Sequence, residues 1–234
     1  MLMRNYIEKG FSVLIKFLAL VSVAILVLIL IFIFKESIGL FNRVSLYSFL
    51  FGTEWQPLGI NPQVSIKPFI AATMIVSVIA IAIAIPIGVG FAMVISVLLP
   101  VKLARILKVS VNILAGIPSV VYGFIGLSVL VKFFEKYFSF STGESVLVAG
   151  ILLSIMILPY VVSSCTETIT KINKKYSVHS YALVESKFYM MNNLILPACT
   201  RSIIASAILA TGRAMGETMA VMMVIGNSPL MPKF

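Results

Sequence analysis

Five apolar runs constrain this sequence more than any other feature. A helix needs about 20 mostly apolar residues to cross the hydrocarbon core of a bilayer. More polar stretches separate the five runs, whose bounds are Phe17–Phe34, Pro68–Leu99, Val109–Val131, Val146–Ser164 and Ile203–Gly226. We therefore predict an all-α, polytopic helical membrane protein with five spans.

The charged residues support this class and orient the chain. Of its 234 residues, 60% are hydrophobic and 11% are charged, whereas soluble domains carry about 25% charged residues. A net charge of +10 would suit nucleic acid, but the basic residues lie in the short stretches between apolar runs, where they set membrane orientation. Eleven Lys and Arg residues are predicted to lie on the same side of the membrane as the N-terminus, and six on the opposite side. Arg213 is predicted to lie within the membrane. We predict a cytoplasmic N-terminus and no nucleic-acid partner.

The same pattern divides the chain into three parts. Residues 1–35 are predicted to hold an N-terminal transmembrane helix, and residues 36–66 an extracytoplasmic segment. Residues 67–234 are predicted to form the membrane core, with a long cytoplasmic loop at 166–201 that is rich in lysine.

Arg213 and Glu217 are the ionised side chains of the last apolar run. Charges at membrane depth are costly and mark functional paths or structural ion pairs. Four residues apart on one helix, the two would share a face and could pair. Gly212 and Gly216 have the same spacing and would let another helix approach closely. Two interpretations remain open: Arg213 lines a polar pathway with Glu217 holding it in place, or the two form a structural ion pair.

Gly116 and Pro118 interrupt the third run within Ala115–Gly123. Both residue types free backbone groups that must find partners in protein or water. The interruption predicts either a broken helix beside a cavity or a kinked helix packed on its neighbours.

Residue types for catalysis or metal binding are scarce. The chain has no Asp and a single histidine, His179, and it contains no phosphate-binding loop, HExxH pair or GxSxG turn. We predict a protein that is not an enzyme, has no cofactor and holds no metal.

Four stretches resemble the permease subunit of bacterial phosphate ABC transporters of the Pst type, specifically the C-type subunit. They are Gly52–Trp55, Ala115–Gly123, Leu158–Tyr160 and Gly212–Asn227, of which the last, with its GRAMGETMAV run, is the most specific. The resemblance implies a MetI-like permease core in the inner membrane of a bacterium. It also implies phosphate as substrate, a second related permease, two ATP-binding subunits that hydrolyse ATP, and an extracytoplasmic phosphate-binding protein. Transport would proceed by alternating access, with Arg213 and Glu217 in the substrate pathway.

The resemblance also implies a cytoplasmic loop of pattern EAA-x3-G-x9-I-x-L-P that docks on the ATPase. Leu194, Leu196 and Pro197 match its end, which places its start at Val178-His179-Ser180 and its glycine at Val184. The Glu, both Ala and the Gly of the pattern are therefore replaced here. Val184 could not adopt a positive-φ turn cheaply, so the shape of this predicted coupling loop is expected to differ.

The family carries a sixth span after the Gly226-Asn227 pair, and this sequence is expected to lack it. Two alternatives to phosphate import follow from these departures. The chain could be an ABC permease for another oxyanion or small solute, or a truncated membrane subunit that does not transport.

The predicted topology can be tested by labelling single cysteines. In a background with Cys165 and Cys199 replaced by alanine, Lys136→Cys should react with an impermeant thiol reagent added outside intact cells. Lys174→Cys should react only after the membrane is permeabilised. The reverse pattern would invert the assignment of every loop.

Overall fold

The computed structural model is helical almost throughout and has no strands in the part that it describes. It describes residues 2–42, 44–58, 62–138, 142–182, 186–226 and 228–230, with the side chains of all but residues 2–8 and 176–182. The chain divides into two compact units, Met1–Lys67 and Pro68–Phe234.

Ten α-helices can be followed in the described residues. They are α1 (Leu2–Phe41), α2 (Leu46–Phe51), α3 (Lys67–Met93), α4 (Val101–Ala115), α5 (Ser119–Ile125), α6 (Lys132–Phe138), α7 (Val146–Ala182), α8 (Lys187–Met190), α9 (Leu196–Gly216) and α10 (Met219–Ile225). Wider π-helical turns extend three of them: Val94–Leu98 after α3, Gly126–Val131 between α5 and α6, and Met191–Ile195 between α8 and α9.

The first unit consists of one long apolar helix and a short polar segment. Side chains of α1 from residue 9 onward are almost all exposed within the chain, as expected for a helix that lipid surrounds. After it, the Ser45 side chain caps α2 by accepting a hydrogen bond from the Ser48 amide. The backbones of Gln56 and Gln63 form an isolated antiparallel bridge, so the segment after α2 is tied back on itself.

The second unit is built around α7. In the most apolar stretch of α7, 61% of the residues are buried inside the chain, whereas none are buried in the corresponding stretch of α1. One buried cluster joins α7 to α3 and α9 through side chains such as Val161, Ile169 and Ile195. A second joins α7 to α5 and α10 through Leu152 and Val224. The central helix therefore positions the helices that carry Gly123 and Arg213, which are described below.

The prediction of an all-α, polytopic membrane protein is confirmed. Four helical stretches are long and apolar enough to span a membrane, and the bent pair Val101–Ala115 and Ser119–Phe138 makes a fifth if it counts as one span. The four are Lys9–Phe41, Lys67–Leu98, Val146–Lys175 and Lys187–Gly216.

The bounds of the last predicted span are wrong. The sequence pattern predicts one helix over Ile203–Gly226, but α9 begins at Leu196 and ends at Gly216. The backbone then becomes extended at Glu217, with φ −78° and ψ 118°, before α10 begins. Apolarity alone does not reveal this interruption because both halves of the run are equally apolar.

Several polar stretches between the predicted spans, including part of the predicted loop 166–201, are helical. Lys102 and Lys108 lie in α4, residues 132–138 form α6, and α7 continues through residue 182, well into the predicted loop 166–201. Polar composition predicted loops there, but a helix that leaves a membrane can continue into water when its exposed face is polar.

Gly88 of α3 provides a test of the packing against α7. A Cβ at Gly88 would lie 2.7 Å from Val161 Cγ1, whereas a Cβ at Gly90 would meet nothing within 4 Å. We expect Gly88→Ala to lower the free energy of unfolding by about 1–3 kcal/mol through overpacking.

Gly90→Ala is the matched control, and it should be neutral or slightly stabilising because alanine favours the helix. Thermal unfolding of the detergent-purified chain measures both changes. Equal destabilisation by the two substitutions would contradict this packing.

Candidate functional site

The third apolar run is broken rather than merely kinked. α4 ends at Ala115, with Gly116 as its C-cap, and α5 begins at Ser119 after a bend of 91°. Pro118 cannot donate a backbone hydrogen bond, and it disfavours helical geometry at the residue before it. Gly116 and Pro118, predicted from sequence to interrupt this run, thus lie at the break.

Two tyrosine hydroxyls contact backbone carbonyl groups at the break. The Tyr122 hydroxyl donates to the backbone oxygen of Leu114 at 3.0 Å, and the Tyr160 hydroxyl lies 3.5 Å from that of Ala115. Unpaired carbonyls are costly where water is absent. Tyr160 belongs to α7, so this contact ties the broken helix to the centre of the unit.

The second break lies between α9 and α10. The carboxylate of Glu217 accepts a hydrogen bond from the amide of Ala220 at 3.4 Å, in the first turn of α10. A carboxylate at a helix N-terminus is favourable because it meets unpaired N–H groups and the positive end of the helix dipole. Glu217 therefore caps α10.

Arg213 lies in the last turn of α9 and stacks on Tyr160. Its guanidinium carbon is 3.6 Å from the centroid of the Tyr160 ring, well inside the range of a cation–π contact. A cation in the last turn also favours the helix dipole of α9. We call this contact the Arg213–Tyr160 stack. Sequence reasoning quoted Tyr160 within a motif but gave it no role.

The pairing of Arg213 with Glu217, one of the two interpretations left open by their spacing, does not occur in the structure. No ion pair within 4.0 Å joins these two described residues. The break is the reason, since the i to i+4 relation requires one continuous helix. Glu217 instead lines a cavity of about 240 Å³ on the α3 side, together with the buried Ser77, whose hydroxyl has no partner. The cation therefore contacts α7, while the carboxylate lines a cavity against α3.

The two glycine-containing motifs meet at Gly123. A Cβ at this position would lie 2.7 Å from Met223 Sδ and 3.0 Å from the Ala220 Cα. Only a glycine permits this approach of α5 to α10 without a shift of the backbone. Both helices that follow the breaks are therefore packed directly on each other.

Gly212 and Gly216 lie on an exposed face of α9. Outside the helix's own backbone, no described residue comes within 4 Å of a Cβ built at either position. Arg213 is also exposed within the chain. The predicted packing strip thus has no partner among the described residues of this chain, and its role stays a prediction.

The predicted coupling segment is described in part. Leu194 is half-buried, whereas Leu196 and Pro197 are exposed at the start of α9, next to the fully buried Ile195. Val184 lies outside the described residues. The side chains of Val178, His179 and Ser180, at the start of the coupling segment, also lie outside them.

Residues 84–232 match the family described as binding-protein-dependent transport system inner membrane component. This chain belongs to that family. The match includes both helix breaks and Arg213, and the MetI-like permease core predicted from the motifs is confirmed. The protein is accordingly a multi-pass inner-membrane permease component.

Individual relatives narrow the resemblance. The chain is 34% identical to the probable ABC transporter permease protein YqgH of Bacillus subtilis, over 83% of this chain and 63% of that protein. It is 31% identical to the phosphate transport system permease protein PstC of Xylella fastidiosa, over 77% and 61% of the two chains. Against PstC of Haemophilus influenzae the identity is 30%, over 79% and 64%. The predicted resemblance to Pst-type permeases is confirmed, and the chain spans about three fifths of the length of these curated relatives.

A pair of double-mutant cycles tests which side chain holds Arg213. Combining Arg213→Gln with Tyr160→Leu should give a coupling of about 0.5–1 kcal/mol in the free energy of unfolding, as expected for a partly exposed cation–π contact.

Combining Arg213→Gln with Glu217→Gln should be additive within about 0.5 kcal/mol, because the amide oxygen of glutamine still caps α10 and no ion pair is lost. Denaturant unfolding in detergent micelles measures both cycles. A larger coupling with Glu217 than with Tyr160 would restore the ion-pair interpretation.

Proposed function

We propose that this chain is the permease subunit of an ATP-driven importer of inorganic phosphate. It would form half of the translocation pathway with a second, related permease, while two ATP-binding subunits hydrolyse ATP. An extracytoplasmic binding protein would deliver phosphate. The names of the PstC relatives support the substrate class, and the family match supports the permease role.

The observation that carries the proposal is the geometry of the Arg213–Tyr160 stack. The guanidinium carbon lies 3.6 Å from the ring centroid, in van der Waals contact with the ring, and the five N–H donors of a guanidinium lie in its plane, at its edge. An oxyanion can therefore accept two charge-assisted hydrogen bonds from the edge while the stack stays intact. Because Arg213 has no carboxylate within 4.0 Å among the described residues, its charge is not neutralised by a fixed partner.

The face that carries Arg213 supports a pathway between two permeases. Gly212 and Gly216 leave room beside the arginine for a second helix or for a water-filled passage. A cation beside such a passage lowers the cost of moving an anion through a region of low dielectric constant.

Glu217 is proposed to act at a distance from phosphate. Its carboxylate caps α10 and would repel an anion at close range. By fixing the break between α9 and α10, it would keep Arg213 in the last turn of α9.

The proposed coupling to ATP hydrolysis runs through the start of α9. Leu196 and Pro197 are exposed there, directly after the buried Ile195, so a force applied by an ATPase would act on the helix whose last turn holds Arg213. Val178, His179, Ser180, Val184 and Leu194 complete this proposed docking segment.

Substitution of Arg213 tests the proposal. In the assembled, reconstituted transporter, Arg213→Gln should lower the uptake of radiolabelled phosphate by about 100-fold, because two hydrogen bonds to a charged group are lost at roughly tenfold each. Arg213→Lys should retain part of the activity, since it keeps the charge and loses the planar fork. Glu217→Gln should have a milder effect than Arg213→Gln.

Co-purification of the partner subunits is the control for assembly. Normal uptake by Arg213→Gln, with less assembled complex, would assign Arg213 a structural role only. Competition with unlabelled sulfate and arsenate distinguishes a phosphate importer from a permease for other oxyanions. Arsenate, the analogue of phosphate, should compete well with a phosphate importer, and sulfate should not.

A further inference from the structure

A second polar site lies where α3 turns into α4. The π-helical turn Val94–Leu98 follows α3, the backbone becomes extended at Leu99, and Pro100 precedes α4 as its N-cap. A cavity of about 390 Å³ lies at this turn, with α7 closing its other side. Its size falls within the range of about 300–1,000 Å³ that is typical of small-ligand sites. It shares no lining residue with the Arg213–Tyr160 stack. Its lining residues are Ile95, Ser96, Leu99, Val101, Ala104, Arg105, Lys108, Thr170, Asn173 and Lys174.

Two cations of α4 line this cavity. Arg105 and Lys108 are three residues apart and so share a face, while Lys174 of α7, which lines the opposite wall, is already engaged. The half-buried Lys108 donates to the Thr170 hydroxyl at 3.4 Å. No carboxylate of the described residues lines the cavity.

The nearest acidic residue on α7 is already engaged. Glu167 pairs with Lys171 at 2.7 Å, and both side chains are exposed. Like charges held together repel one another, and a bound anion relieves that repulsion. The cavity therefore favours a negatively charged occupant.

The floor of the cavity leaves one acceptor without a partner. The Asn173 side-chain amide donates to the backbone oxygen of Ser96 at 2.9 Å, which fixes the orientation of its side chain. Its Oδ1 atom is buried and has no hydrogen-bond partner. A buried acceptor without a donor is costly, so the best occupant would supply an O–H group as well as anionic oxygens.

We infer that this cavity binds a phosphate group whose ligand also carries a hydroxyl. Arg105 and Lys108 would contact the phosphate oxygens through charge-assisted hydrogen bonds, and the hydroxyl would donate to Asn173 Oδ1. Two sources share this chemistry: inorganic hydrogenphosphate, through its P–OH, and the headgroup of phosphatidylglycerol, through its glycerol. The apolar wall of Leu99 and Val101 suits either the rim of an ion site or the glycerol backbone of a lipid.

Binding in lipid nanodiscs tests the site and separates the two sources. The assembled transporter carries Arg213→Gln throughout, so phosphate bound in the proposed translocation pathway does not contribute. One arm measures binding of radiolabelled orthophosphate in discs of phosphatidylcholine alone. The other arm uses discs of phosphatidylglycerol and phosphatidylcholine in equal parts and measures retained phosphatidylglycerol by native mass spectrometry.

The double variant Arg105→Gln/Lys108→Gln should lose roughly tenfold or more in affinity or retention in one of the two arms, because each charge-assisted contact is worth about a factor of ten. Lys102→Gln is the matched control. Lys102 is exposed, lies in the first turn of the same helix and does not line the cavity. Its substitution should change binding in neither arm by more than about twofold.

Asn173→Asp is a near-isosteric second variant that places a carboxylate in the cavity, and it should weaken binding as much as the double variant does. Loss in the phosphate arm identifies a free ion as the ligand, and loss in the lipid arm identifies a headgroup.

Unchanged binding in both arms for both variants would overturn the site. Loss of the co-purified ATPase, with both arms unchanged, would overturn it in favour of a protein contact. Because the site shares no residue with the Arg213–Tyr160 stack, failure of the proposed transport function would leave this result unaffected.

Discussion

The burial of most of the apolar part of α7 is the constraint on which the rest of the core depends. Its apolar side chains form the shared wall of the clusters that hold α3, α5, α9 and α10. Because it is fixed, Tyr160 can contact two neighbours at once: the freed carbonyl of Ala115 and the guanidinium of Arg213. One side chain of a rigid helix thus joins the ends of two broken ones, which is how irregular backbone is tolerated at membrane depth.

The two helix breaks explain why the charged site can exist in an apolar unit. A continuous helix over the last run would have put Arg213 and Glu217 on one face, where each would neutralise the other. The break at Glu217 separates them, so the carboxylate caps α10 and the guanidinium is left with an aromatic face. A cation–π contact screens the charge without cancelling it, and the edge of the guanidinium stays available for a transported anion.

The sequence allowed the class of fold and the position of the first break to be predicted, because apolar runs, Gly116 and Pro118 act locally. It did not reveal the break at Glu217, which has no proline and is followed by the packing of α10 against Gly123, a contact between distant parts of the chain. Nor did it reveal the role of Tyr160, since a contact between residues 53 positions apart leaves no periodic signal. The sequence also placed loops where α4, α6 and α7 are helical, because charged residues mark a membrane boundary without ending a helix.

The central claim is that Arg213 binds the transported anion while it is stacked on Tyr160. A structure of the assembled transporter, determined with phosphate trapped between the two permeases, tests this most directly. We predict phosphate oxygens within about 3 Å of the Arg213 guanidinium nitrogens, with the Tyr160 ring still beneath the guanidinium. Phosphate bound elsewhere, with Arg213 in an ion pair with Glu217 or with a carboxylate of a partner subunit, would contradict the account.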